Sequence, residues 1–81
     1  MNLKHRPWQV GKLIQVAQHL KKGKADNASF TEKIAAAFVL DDQLKLPEDL
    51  RMAHAWAYLS LEWQAYVLDI LQNYMNEIEE E

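Results

Sequence analysis

His5, His19 and His54 are the side chains of this chain best suited to bind a metal or move a proton at neutral pH. No two stand three or four residues apart, the spacing that places ligands on one helical face, so the sequence holds no metal box. His54 lies in an otherwise apolar stretch and is expected to be a buried, hydrogen-bonded histidine. As a catalytic base at a small pocket it needs a carboxylate or nucleophile beside it, and Asp41, Asp42 and Glu62 are the acids folding must then bring there. Ser29 and Ser60 sit where helix caps are needed, and neither lies in a Gly-x-Ser-x-Gly elbow. Gly11 and Gly23 stand alone, so there is no glycine-rich phosphate cradle. The chain lacks cysteine, which excludes disulfides, thiolate zinc sites and a cysteine nucleophile, and fits the cytosol. No catalytic, cofactor-binding or metal-ligating residue emerges, and the expectation is a protein that is not an enzyme.

Charge is distributed unevenly. Residues 1–24 carry five lysines and one arginine with no acid, whereas residues 25–81 carry three basic and twelve acidic side chains, so charges of +6 and −9 give the net −3. The halves can face each other in one molecule, pair head to tail between copies, or present one end to a foreign partner. A basic patch of Lys4, Arg6, Lys12, Lys21, Lys22 and Lys24 with Trp8 is the candidate surface for nucleic acid, through counterion release and stacking on an unpaired base. Overall acidity opposes that reading. So does the failure of residues 31–50 as a helix-turn-helix, where Val39 takes the usual glycine place and Pro47 interrupts the second helix. The acids at positions 77 and 79–81 read as a solvated terminus, ahead of the alternative that they mimic phosphate toward a basic protein.

Trp56, Tyr58, Trp63, Tyr66 and Tyr74 all fall in the last third of the chain. Tryptophan and tyrosine join large contact area to a polar tip and are enriched at interface hot spots. Trp56, Trp63, Tyr66 and Tyr74 are the candidate protein interface, with Tyr66 nearest the acidic stripe of its helix.

The elements that must position these residues are helical. Ten alanines and eleven leucines outnumber eight valines plus isoleucines and a single threonine, and two glycines plus two prolines are too few for the corners of an all-β chain. The first helix runs from about 7 to 22: Pro7 suits its start and Gly23 its stop, with Val10, Leu13, Ile14, Val16, Ala17 and Leu20 on one face and Trp8, Lys12, Gln15, His19 and Lys22 on the other. Ser29-Phe30-Thr31-Glu32 forms a capping box for a second helix over 30–41, apolar on every side and closed poorly by Asp41-Asp42. Pro47-Glu48-Asp49 opens a third helix, 47–59, central or at a subunit interface; Ser60 marks a break or kink before a fourth, 61–78. In the fourth, Trp63, Val67, Leu68, Ile70, Leu71, Tyr74, Met75 and Ile78 span an arc of roughly 160° opposite a narrow stripe of Glu62, Asp69, Asn73, Asn76, Glu77 and Glu80.

These elements make one all-α domain over 1–81, a bundle of three to four helices whose last two can be one kinked helix, with a short mobile start (1–5) and an acidic end (79–81). Charges interrupt each apolar run well short of the roughly 18 residues a membrane span needs. With 81 residues, 49% of them hydrophobic, such a domain buries only roughly 60 to 65% of the surface its unfolded chain exposes. Surplus apolar surface in the C-terminal half points to a small protein-interaction or regulatory module, homodimeric through its last helices.

Overall fold

The computed structural model describes residues 6–24 and 28–79. Within them the chain forms helices α1 (Trp8–Lys21), α2 (Phe30–Leu40), α3 (Met52–Tyr58), α4 (Leu61–Asn73) and α5 (Met75–Glu79), with 3-10 turns at Gln43–Lys45 and Pro47–Asp49 between α2 and α3. Lys4 and the segment 1–5 lie outside the described residues, as does the acidic end beyond Glu79.

Caps account for most boundaries. Glu32 donates its backbone N–H to Ser29 Oγ (3.1 Å) while its Oε1 accepts from the Ser29 N–H (2.9 Å), which completes the capping box. Gly23, at φ 80°, closes α1: its N–H reaches Leu20 O and the next N–H reaches His19 O, the paired bonds of a Schellman motif. The same pattern closes α2, with Asp41 at φ 54° in the glycine's place, bonded to Phe38 O, and Asp42 bonded to Ala37 O. Asp42 then serves the following turn, its carboxylate accepting from the Leu44 N–H at 3.0 Å. The acid pair is thus an ordered corner, where its charge alone predicts a poor ending.

The third helix is shorter than its sequence predicts. Glu48 and Asp49 both have positive φ (56° and 58°), and the Leu50 N–H closes a tight turn onto Pro47 O at 3.2 Å. Proline followed by acids suits a helix start, but here the left-handed pair turns the chain, and helix resumes only at Met52. Its burial overturns the central one of its two expected placements. Ala55 alone among α3 residues is buried, with Met52 and Trp56 half-buried, so α3 is peripheral. Ser60 ends it as predicted, its Oγ accepting from Trp63 N–H at 3.2 Å to start α4. Gln64 locks that corner by donating to Trp56 O (2.9 Å) and Leu59 O (3.2 Å), the open carbonyls at the end of α3.

The centre of the fold is α2. Ala35, Ala36 and Ala37 are fully buried beside Ile34 and Val39, and their small side chains let α1 and α4 approach it closely. Val10, Leu13, Ile14, Val16 and Ala17 of α1, Leu46 between the 3-10 turns, Ala55 of α3 and Leu59 at its end, Val67 and Ile70 of α4, and Ile78 of α5 complete the core. The predicted single helix over 61–78 breaks at Tyr74 (φ −129°, ψ 10°), and α5 folds back onto α1. The molecule is 20 Å through its thinnest direction, about two helix diameters, and among the described residues none covers the outer side of α4, where Leu61, Leu68 and Leu71 are exposed. Among the described residues no helix is long and apolar enough to cross a membrane.

Candidate functional site

Leu61, Ala65, Leu68 and Leu71 are all exposed, and at 100° per residue they occupy one sector of about 120° on α4. The leucines are 83%, 48% and 41% exposed respectively. Val67 and Ile70 point the other way, into the core. The broad apolar arc of the sequence is therefore two faces: one packs, and the other is an open line of leucines. Acids border the line on one side, where Asp69 accepts from Asn73 Nδ2 at 2.7 Å. Tyr58, at the end of α3, is another large apolar side chain left exposed.

The four aromatic candidates sit differently from these leucines. Trp56 meets Phe38 edge to face with centroids 5.0 Å apart, and Trp63 meets Tyr66 in the same way at 5.3 Å. The Arg6 guanidinium lies 5.0 Å from the centre of the Tyr74 ring. All four are half-buried against the core, so the open surface is made by leucines that aromatic density does not reveal. A seven-residue repeat of leucine, 61 to 68, is the sequence signal that marks them. Burial, and next the Glu62 carboxylate that accepts its hydroxyl hydrogen bond and repels its negative form, push the Tyr66 phenol up.

At the basic end, Arg6 pairs with Glu77 at 2.9 Å, Lys12 stands 3.9 Å from Glu32, and Lys21 Nζ donates to Ile78 O (3.2 Å) and Glu79 O (3.5 Å). The two electrical ends of the chain thus meet within one molecule at α1 and α5. Lys22 and Lys24 are exposed, and Trp8 is 71% exposed on the polar face, as its helical position predicts.

His54 is exposed on α3, which corrects the expectation of a buried histidine. The packing of α3 against the side of the bundle, with Ala55 inward, turns it to solvent. A shallow groove of about 340 Å³ lies elsewhere, between Lys21, the Leu40–Lys45 corner and α5. Its lining contains no histidine, serine or threonine; its polar side chains are Lys21, Asp42, Lys45 and Glu79. Among the described residues no group of three or more histidine or acidic side chains is arranged to hold a metal ion.

Comparison with protein-family models, with curated proteins and with solved structures finds no match to this chain.

Proposed function

We propose that this chain is a small, non-enzymatic interaction module that self-associates through its C-terminal helices. The observation that carries the reading is the exposed line of Leu61, Leu68 and Leu71 on α4. Burying such side chains between copies removes apolar surface from water at roughly 25 cal/mol per Å². A second copy suits this surface because Gln64, Ala65 and Gln72, which lie among these leucines, carry no charge, and the acids Glu62 and Asp69 stand on one edge alone. The cysteine-free composition suits a reducing compartment, and we place the module in the cytosol. Analytical ultracentrifugation from nanomolar to micromolar concentration tests the reading. Wild-type protein is expected to pass from monomer to dimer, and Leu68→Glu to stay monomeric with unchanged helicity, since Leu68 is not part of the core. A wild-type monomer throughout contradicts it.

A second reading is favoured by the exposure of Trp8 beside the basic face of α1: a regulator that binds nucleic acid, with Trp8 stacking on a base. Arg6, Lys12 and Lys21 already serve contacts within the molecule, which leaves this surface less charge to offer. Its test is a Trp8 fluorescence titration with single-stranded DNA and RNA at low salt. Binding that weakens steeply with salt supports it, and no binding removes it.

A further inference from the structure

We infer that the dimer forms with α5 released from α1, so that α4 and α5 join into one straight helix; this rests on the self-association proposed above. In heptad register Leu61, Leu68 and Met75 take one seam position, and Gln64, Leu71 and Ile78 take the other. The kink at Tyr74 divides this seam. Leu61, Leu68 and Leu71 remain outside, while Ile78 is buried and Met75 half-buried against the molecule's own core. No glycine or proline lies between Leu61 and Glu79, and Tyr74 N–H still bonds to Ile70 O at 2.9 Å, so the α4 ladder continues into the kink. Straightening the segment aligns the whole seam over about 27 Å.

Area favours the straight form. A stable dimer buries about 800 Å² on each partner, and three part-exposed leucines on a single short helix supply a small share of that. A continuous helix adds Met75 and Ile78 to the seam. Its outward flanking positions in the first two heptads, Ala65 and Gln72, are uncharged, and on the other side Val67 and Tyr74 pack on the molecule's own core, so a second copy is the partner that fits. Beside the buried Ile78, polar contacts at the periphery restrain α5: the Arg6–Glu77 ion pair, Gln18 Nε2 donating to Glu77 O at 3.0 Å, and Lys21 holding the last carbonyls. Five residues are too few to hold a helix alone, so α5 keeps its bent position through these contacts and the Ile78 anchor. Docked α5 therefore competes with the dimer.

Two variants loosen the restraint while moving net charge in opposite directions: Arg6→Ala with Lys21→Met, and Glu77→Gln. Dimer dissociation constants are measured by sedimentation equilibrium, and amide exchange of residues 75–79 is followed in the same samples. Both variants are expected to dimerise more tightly, the double variant by about tenfold, with faster α5 exchange in the monomer. Dimerisation that Leu68→Glu abolishes but that neither variant strengthens overturns the release of α5 and leaves the leucine interface standing. Absence of any wild-type dimer removes both.

Discussion

Arg6 and Glu77 are 71 residues apart in sequence and 2.9 Å apart in space. The same guanidinium lies over the Tyr74 ring, so one side chain just before α1 holds both the kink and the short helix that follows it. Both partners are partly exposed, and water screens the pair. Arg6→Ala is expected to cost about 0.5 kcal/mol in urea denaturation, a loss that shrinks in concentrated salt. An unchanged midpoint at low salt shows that the ion pair contributes nothing to stability.

Backbone geometry gives a prediction of opposite signs. Gly23 and Asp41 occupy equivalent left-handed positions at the ends of α1 and α2, and Glu48 is left-handed as well. A side chain there meets its own backbone, and at Asp41 an added negative charge faces the negative end of a helix. Asp41→Gly and Glu48→Gly are each expected to raise stability by up to about 1 kcal/mol, whereas Gly23→Ala lowers it by about 1 kcal/mol. Thermal unfolding of the three variants checks the signs.

These positions also mark how far the sequence is legible. Gly23, the Ser29–Glu32 box and Ser60 act within a few residues of themselves, and all end or begin helices where their types predict. Pro47-Glu48-Asp49 misleads because proline and acids suit both a helix start and a turn, and the choice depends on Leu50, half-buried in the packed structure. The broad apolar arc of the last helix signals too much apolar surface for one core. Which edge stays outside depends on how α4 rolls against α2, and local pattern does not encode that. Likewise, the opposite charges of the two ends were plain, but their meeting within one molecule required the fold.

Tyr66 supplies a spectroscopic check on the α4 surface. Its phenol is raised above the ordinary 10.0 by burial and by Glu62. In a Tyr58→Phe, Tyr74→Phe background the remaining phenol should titrate above that value, and Glu62→Gln should lower its midpoint. The folded phenol keeps its proton to higher pH than the unfolded one. Its effect on stability is therefore absent below about pH 10 and becomes unfavourable as pH rises beyond it. A midpoint unmoved by Glu62→Gln shows that the two side chains do not interact in solution.

The central claim is that the leucine line of α4 is a contact surface. The most direct measurement is amide exchange and side-chain methyl NMR of the wild-type protein at two concentrations on either side of the dimer midpoint. Shifts and added protection concentrated on Leu61, Leu68 and Leu71 at the higher concentration are the predicted result. Spectra that do not change with concentration, or changes confined to α1, contradict it.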